Sequence, residues 1–305
     1  YSEWCLKDFR GYLKKEYKDL KELNTSWATT FKSWDEVVPV QLKETSQDKN
    51  NMAAWLDHKM FMTTVFARIG DKVKKILEEE NPGMEVRMGF TGMQNPGYSY
   101  NWNETTKYLT FLRHYSGMQI DLIRSFIQPG GRYGSPTGYT AENINAEKEL
   151  RYHVWRRLFN HANCFMIYYS GYALLGDLSF AKNTRYAIDE LQKAKEGIDK
   201  MLLSSELITD IGIHYSHNSM FACVATKDRN TWLNALNSWK AIINDLGVNF
   251  KFVSREQLEV DGLDKNKYKV FILPVSTCLS DKEVVALRKY VESGGVLIAD
   301  YGAGL

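Results

Sequence analysis

A glutamate followed by an asparagine is the first group in this sequence whose surroundings suggest catalysis. Glu142 and Asn143 follow the run Gly138-Tyr-Thr-Ala, and this run predicts a strand over residues 137–141. In parallel barrels, catalytic groups lie at the carboxyl ends of the strands because the loops there form the pocket. A carboxylate held at such a position can attack the anomeric carbon of a sugar and form a glycosyl-enzyme intermediate. The other interpretation of Glu142 is a cap on the first turn of the following helix.

The candidates for sugar binding are aromatic side chains in predicted loops and at predicted strand ends, together with one amide. Aromatic faces stack on sugar rings but also fill protein cores, so ordinary packing is the alternative for each ring. The amide has helix capping as its alternative. The candidates are Tyr100, Trp102, Tyr139, Asn143 and Tyr169.

The composition excludes several other classes of protein. The 305 residues carry a net charge of +2, with lysine and arginine spread along the chain, so there is no basic footprint for nucleic acid. The four cysteines lie far apart without CxxC spacing, which predicts neither a metal site nor a disulfide framework. The sequence contains no apolar run of about 18 residues, the length that would predict a membrane span. We therefore expect no nucleic-acid partner and no membrane partner.

The elements that must position Glu142 alternate along the first two thirds of the chain. Amphipathic helices are predicted over residues 3–23 and 52–80. After them, strands and helices alternate, which is typical of parallel strands joined by crossover helices. The predicted strands are residues 85–90, 119–126, 137–141 and 164–169, and the predicted helices are residues 104–116, 146–162 and 186–203. We therefore predict that residues 1–205 are half of a (β/α)8 TIM barrel, strands 5–8, and that strands 1–4 precede Tyr1.

Residues 206–305 show a different arrangement of elements. Strands are predicted at residues 210–215, 248–253, 268–273 and 296–300, and helices at 231–246 and 281–293. Ser280, with Glu283 three residues later, predicts a capping box at the start of the last helix. This pattern predicts a Rossmann/flavodoxin-like doubly wound α/β domain. Because the sequence stops just past a strand, we expect this domain to be incomplete at its C-terminus.

Short motifs in both parts of the chain resemble those of one known family. The motifs are Phe9-x-x-Tyr12-Leu13, Leu23-Asn24-x-x-Trp27, Val154-Trp155, Ile213-His-Tyr-Ser-His217, Tyr268-Lys-Val-Phe-Ile-Leu-Pro274 and Gly294-Gly295-Val296. Each motif is moderately specific, and their shared order is more specific than any one of them. Together they resemble the glycoside hydrolase family 42 β-galactosidases over nearly the whole chain.

The resemblance implies a retaining glycosidase that cleaves terminal β-linked sugars by double displacement. Glu142 falls on the family's strand-seven nucleophile, and the acid/base glutamate of strand four is expected upstream of Tyr1. The chain by itself is therefore expected to be inactive. No cofactor is implied, because two carboxyl groups suffice for the chemistry. Residues 206–305 resemble the family's amidotransferase-like trimerisation domain, which implies a homotrimer.

Two departures from the family pattern leave the substrate and a metal site open. Of the cysteine cluster that binds a structural metal in the family, only Cys5 is present here, and no metal ligand is predicted in this chain. The family's sugar-holding residues after the last barrel strand are replaced by Tyr168-Tyr169-Ser-Gly-Tyr172 and Asp177. Galactose specificity is therefore open, and pectin-derived or rarer glycosides remain candidates.

Two other functions compete with the glycosidase interpretation. Cys278 follows a predicted strand, and a pair with His214 or His217 would suggest an amidotransferase-like enzyme. The residues around Cys278 lack the glycines that a strained nucleophile elbow needs, which argues against it. The second alternative is a non-catalytic carbohydrate-binding or assembly fragment. The missing acid/base favours this alternative, and the carboxylate of Glu142 argues against it.

Overall fold

The computed structural model describes residues 1–45, 51–89, 100–113, 117–137, 146–167, 173–195, 197–226 and 230–304. The chain forms two compact units. The first consists of Tyr1–Asp71, Asn95–Thr105 and Asp210–Leu305, and the second of Lys72–Gln94 and Thr106–Thr209. The N-terminal helices thus belong to the same unit as the C-terminal part of the chain. The domain boundary between residues 205 and 206 stays a prediction.

The N-terminal segment is helical. Its helices are α1 (Glu3–Glu16), α2 (Leu20–Trp27), α3 (Leu42–Thr45) and α4 (Ala53–Glu80), with a 3₁₀ turn at Trp34–Glu36. The single helix predicted over residues 3–23 is interrupted at Tyr17, whose backbone is extended, and α2 begins after Asp19, whose carboxylate accepts the N–H of Glu22 at 2.8 Å. An Asp at this position offers the backbone a cap that competes with helix continuation.

One apolar cluster holds these helices together. It contains six buried residues, five of them from α1, α2 and α4. The members are Phe9, Leu13, Leu23, Trp27, Val37 and Phe61. Four of them (Phe9, Leu13, Leu23 and Trp27) belong to the motifs quoted from the sequence, so these motif positions form the core of the segment.

The second unit contains the first sheet. The elements that follow α4 in the chain are β1 (Arg87–Gly89), α5 (Trp102–Thr106), β2 (Phe111–Arg113), α6 (Gly117–Phe126), β3 (Arg132–Thr137), α7 (Ala146–Phe159), β4 (Cys164–Ile167), α8 (Lys182–Ala194) and α9 (Ile198–Ser204). Among them, α5 lies in the first unit as far as Thr105. The strands pair in the order β1-β2-β3-β4, and every pair is parallel. In this register Met88 faces Leu112, and Leu112 faces Tyr133.

One of the four strands predicted for this part is wrong in position. Residues 119–126 form most of α6, and the strand lies before them, at β2. Ile120 and Leu122 alternate as they would in a strand, whereas Met118, Leu122 and Phe126 recur every four residues as in a helix, and all four are buried. An apolar run that is buried on several sides does not distinguish helix from strand by its period. The next strand was predicted at residues 137–141. Of these, Thr137 belongs to β3 (Arg132–Thr137), and residues 138–141 lie outside the described residues.

The C-terminal part of the first unit contains the second sheet. Its elements are β5 (Ile211–Tyr215), α10 (His217–Ala225), α11 (Thr231–Asp245), β6 (Phe250–Ser254), α12 (Arg255–Asp261), β7 (Val270–Leu273), α13 (Asp281–Glu292) and β8 (Val296–Ala299). The strand order is β6-β5-β7-β8, with every pair parallel. The predicted capping box is confirmed: Ser280 Oγ accepts the N–H of Glu283 at 3.2 Å, and Glu283 Oε2 accepts the N–H of Ser280 at 2.7 Å. The chain therefore has an α/β fold with parallel sheets, as predicted.

Among the helices in the described ranges, none combines the length and the apolar character that a bilayer crossing requires.

Candidate active site

The carboxyl ends of β1–β4 lie at one edge of the first sheet, because all pairs are parallel. This edge is where catalytic residues of parallel α/β enzymes gather. Glu142 comes after Thr137, the last residue of β3, in the chain. Glu142, Asn143 and Tyr139 lie outside the described residues, and so does Tyr169, which comes after β4. Their roles stay predictions from the sequence.

Strand β3, which precedes Glu142 in the chain, is fixed in register by hydrogen bonds to residues that come just before β2 and β4. The N–H of Tyr133 donates to Asn163 Oδ1 at 2.9 Å, and the buried hydroxyl of Tyr133 donates to the carbonyl of Asn160 at 2.8 Å. Burial raises the pKa of this phenol, so it stays a neutral donor. On the other side, the N–H of Arg132 donates to the carbonyl of Thr110 at 2.7 Å. These bonds fix the position at which β3 begins.

A close approach of two backbones fixes β3 against β4. A Cβ atom added to Gly134 would lie 1.9 Å from the carbonyl oxygen of Cys164. No side chain fits in that space, so glycine is required for the two strands to approach this closely. The sequence did not single out Gly134, since glycine occurs in the preceding loop as well.

Tyr100 and Trp102 are the two predicted sugar contacts that the structure describes, and both belong to the first unit. The ring of Tyr100 is half-buried and packs edge-on against Phe66 at 5.1 Å between centroids. Trp102 begins α5 and is 1 % exposed, with its ring 6.5 Å from that of Tyr100. Tyr100 therefore keeps some exposed surface, while the indole of Trp102 contributes packing within this chain.

A polar cluster of His214, Ser276 and Glu283 lies at the carboxyl end of the second sheet. For this cluster the sequence predicted only the capping role of Glu283. His214 Nδ1 lies 2.9 Å from Ser276 Oγ, and His214 Nε2 lies 2.8 Å from Glu283 Oε1. Burial by itself raises the pKa of Glu283, but the hydrogen bond and charge of His214 outweigh it, and the net effect lowers this pKa. All three side chains are 0 % exposed. Because Ser276 is buried, a substrate has no access to its hydroxyl group. The cluster is therefore structural.

The turn before Ser276 is strained. Val275 has a φ of 44°, a left-handed conformation that costs a β-branched residue about 1–3 kcal/mol. The N–H of Val275 donates to a carboxylate oxygen of Asp300 at 2.5 Å. This bond and the contact of Ser276 with His214 hold the turn in place.

The environment of Cys278 bears on the amidotransferase-like alternative. Its thiol lies 3.8 Å from Thr277 Oγ1, and its pKa is raised by burial. His214 bonds Ser276 and Glu283, and His217 bonds the carbonyl of Tyr100. A raised pKa disfavours the thiolate that nucleophilic catalysis needs. The structure therefore offers no support for a Cys–His pair.

Within the described residues, no three acidic, histidine or cysteine side chains are close enough together to hold a metal ion. No cofactor is expected from the sequence either.

Comparison with known proteins finds similarity to one family of enzymes. A family model for glycoside hydrolase family 42, described as β-galactosidase, matches residues 1–122. The β-galactosidase BgaB of Geobacillus kaustophilus is 24% identical over 347 residues, an alignment that covers 100% of this chain and 49% of the relative. The chain therefore spans about half the length of the curated relatives it matches.

Solved structures agree with this result at the level of the fold. A catalytic mutant of Gan42B, a GH42 β-galactosidase from G. stearothermophilus, is similar with a TM-score of 0.78 and 16% identity, over 99% of this chain and 50% of that chain. An exo-carrageenase GH42 from Bacteroides ovatus is similar with a TM-score of 0.68 and 13% identity, over 99% of this chain and 46% of that chain. The resemblance to the family 42 β-galactosidases predicted from the sequence motifs is confirmed.

Proposed function

We propose that this chain is part of a retaining glycoside hydrolase of the β-galactosidase type. The observation that carries the proposal is the similarity to β-galactosidases in sequence over 100% of the chain, together with a matching fold. The position of Glu142 in the sequence, after a strand of a parallel sheet, supports it further. Fold alone hosts many functions, so the chemical assignment depends on this carboxylate.

The finer architecture is also a proposal. The consecutive order β1-β2-β3-β4 supports strands 5–8 of a (β/α)8 barrel within residues 1–205, because neighbours in the sequence are neighbours in such a barrel. The order β6-β5-β7-β8 supports a flavodoxin-like, doubly wound domain within residues 206–305, since the strand order reverses beside the first strand.

In the proposed mechanism Glu142 is the nucleophile. Its carboxylate attacks the anomeric carbon while a second carboxyl group protonates the leaving oxygen, and water then releases the sugar with that second group acting as base. The two carboxyl groups of retaining enzymes lie about 5–5.5 Å apart. The resemblance predicts the second group upstream of Tyr1. We propose Tyr100, Tyr139, Asn143 and Tyr169 as the sugar contacts, whereas the buried indole of Trp102 packs beside Tyr100.

The substrate class is a carbohydrate with a terminal β-linked sugar. Galactose is the sugar best supported, because the curated relatives are described as β-galactosidases. Because an exo-carrageenase has a similar structure, a second class of substrate is tested beside β-galactosides. The activity assay therefore compares aryl β-galactosides with galactans that carry sulfate groups.

Covalent trapping tests the nucleophile in the full-length protein. A 2-deoxy-2-fluoro β-galactoside with a good leaving group forms a glycosyl-enzyme that hydrolyses slowly, and peptide mass spectrometry locates the label. We expect the label on Glu142, and we expect Glu142→Gln to abolish both labelling and turnover. Glu147→Gln is the matched control, because Glu147 is an exposed glutamate of α7 that pairs with Arg151. Labelling of another residue, or full activity of Glu142→Gln, would refute the assignment.

Two further parts of the proposal have separate tests. The chain of 305 residues is proposed to be inactive by itself, and a hydrolysis rate that disappears in Glu142→Gln would contradict this. The homotrimer implied by the resemblance is proposed for the full-length protein. A monomer mass measured by light scattering at working concentration would contradict the homotrimer. If the full-length protein binds sugars without turning them over, the non-catalytic alternative is correct.

A further inference from the structure

The segment that carries two predicted sugar contacts is bonded to the C-terminal α/β part of the chain. Tyr100, Asn101 and Trp102 are far in sequence from residues 211–304, yet they belong to the same compact unit. The shorter hydrogen bonds come from one residue on α10 and one residue on α12. Each bonds a different residue of the segment.

The first connection is His217, at the N-terminus of α10. Its Nε2 lies 2.5 Å from the carbonyl oxygen of Tyr100, and the side chain is 4 % exposed. Burial lowers the pKa of this imidazole, so the ring is neutral near pH 7. Because a carbonyl only accepts hydrogen bonds, Nε2 carries the proton and donates. The hydroxyl of Tyr215 donates to the same carbonyl at a longer distance of 3.5 Å.

The second connection is Glu256, in the first turn of α12. Its Oε1 accepts a hydrogen bond from Asn101 Nδ2 at 3.0 Å. Asn101 is 1 % exposed, and its Oδ1 accepts the N–H of Glu104 at 3.2 Å. Its carbonyl also accepts the N–H of Thr105 at 2.8 Å. Asn101 therefore caps α5 with its oxygen and uses its amide N–H to bond Glu256.

These bonds fix the backbone immediately around both rings. His217 holds the carbonyl of Tyr100, and Glu256 orients the residue that precedes Trp102. The ring of Tyr100 then has Phe66 on one side, at 5.1 Å between centroids. A half-buried ring with a fixed backbone and a packed edge presents its remaining face in one direction. Such preorganisation favours ligand binding because less freedom is lost on association.

We propose that His217 and Glu256 are positioning residues that set the sugar-binding geometry of Tyr100 and of the start of α5. The α/β part that follows residue 210 thus contributes to substrate affinity in addition to any role in assembly. This inference rests on the proposed glycosidase function. It predicts an effect on substrate binding from side chains that do not touch the sugar.

Steady-state kinetics of the full-length protein on an aryl β-galactoside tests the inference. Glu256→Ala removes the acceptor of Asn101, and we expect KM to rise by roughly three- to tenfold with kcat changed less than about twofold, as for a loss of binding rather than of chemistry. Glu256→Gln keeps an acceptor oxygen and is expected to restore most of the wild-type KM. His217→Leu is expected to raise KM in the same way, while His217→Gln keeps a donor and restores it in part.

Glu259→Ala is the matched control. Glu259 lies on the same helix and carries the same charge, but it bonds Arg255 and Ser280, so its removal should leave KM unchanged. Thermal unfolding of each variant shows whether it is folded at the assay temperature. Equal KM values for Glu256→Ala and Glu259→Ala, or no recovery in Glu256→Gln, would overturn the positioning role.

The same assay separates this inference from the proposed function. If Glu142→Gln abolishes turnover and Glu256→Ala behaves as wild type, the positioning role is wrong and the glycosidase assignment stands. If the wild-type full-length protein neither turns over the galactoside nor accepts the covalent label, both are wrong.

Discussion

The indole N–H of Trp155, on α7, donates to Oε2 of Glu190, on α8, at 2.8 Å. The other oxygen of this carboxylate accepts from Arg151 at 2.5 Å and from Lys193 at 2.8 Å. The side chain of Glu190 is only 7% exposed. Trp155 belongs to a motif that led to the family resemblance, and here it joins two helices through a partly buried charge.

Glu190→Ala is expected to lower the free energy of unfolding of the second unit by about 2–4 kcal/mol. The reason is that the indole N–H and a guanidinium would lose a charged acceptor in a poorly hydrated place. Asp189→Ala is the matched control, because Asp189 is 52% exposed and lies 3.8 Å from Arg151; its loss should cost less than about 1 kcal/mol. Urea unfolding followed by circular dichroism measures both. Equal effects would contradict the role given to Glu190.

The same carboxylate predicts a pH dependence of stability. Its hydrogen bonds, first that of Lys193 and then that of Trp155, lower the pKa of Glu190 from 4.5 to about 2. Because the folded pKa lies below the unfolded one, the stabilisation is fully present above the unfolded value. It is lost as the pH falls from 4.5 through about 2.

The stability difference between wild type and Glu190→Gln measures this effect. We expect it to be constant near neutral pH and to shrink progressively below the unfolded pKa. A difference that does not change over that range would show that Glu190 makes no such contribution.

The buried pair of His214 and Glu283 predicts a large loss on removal of one partner. Both side chains are 0% exposed, and Nε2 lies 2.8 Å from Oε1. Glu283→Ala leaves the imidazole without its acceptor and removes half of the capping box of α13, which is expected to cost about 3–5 kcal/mol. Glu292→Ala, at the exposed end of the same helix, is the control and should change stability by less than about 0.5 kcal/mol. A denaturation midpoint of Glu283→Ala equal to that of the control would contradict the prediction.

Gly134→Ala is expected to disrupt the pairing of β3 with β4. The added methyl would lie 1.9 Å from the carbonyl oxygen of Cys164, and a backbone atom cannot move aside as a flexible side chain would. We expect a loss of at least about 3 kcal/mol, the upper part of the range for overpacking. Gly176→Ala serves as the control, since open space surrounds that position. A cooperative transition of Gly134→Ala at the wild-type midpoint would show that the two strands are not this close in solution.

In the C-terminal part, strands β5 to β8 and helices α11 and α13 were predicted from the sequence with small errors at their ends, whereas helices α10 and α12 were not predicted. The strand predicted at residues 268–273 is β7 (Val270–Leu273), and the helix predicted at 281–293 is α13 (Asp281–Glu292). Local signals sufficed here, because an apolar run stopped by Pro274 and a capping box at Ser280 specify these elements without distant contacts. The same holds for α4, which the Asn81-Pro82-Gly83 turn ends.

Between residues 104 and 126 the same reasoning failed, since β2 lies where a helix was predicted and α6 where a strand was predicted. Helix α6 is buried along most of its surface, so its apolar residues also fit the alternation of a strand, and β2 is too short to show any period. The expectation of parallel strands was nevertheless correct. It depends on the alternation of element types along the chain rather than on where each one begins.

The sequence by itself determined the alternation of helices and strands, the capping of α13 and the family resemblance, because these depend on neighbouring residues or on ordered motifs. Only the tertiary structure decided which polar groups meet. His214 and Glu283 lie 69 positions apart, and Tyr100 and His217 lie 117 apart. Contacts over such separations are set by strand order and helix packing, which leave no local periodicity in the chain. A buried pair of this kind is recognised only in the folded chain, where the two side chains lie together without access to water.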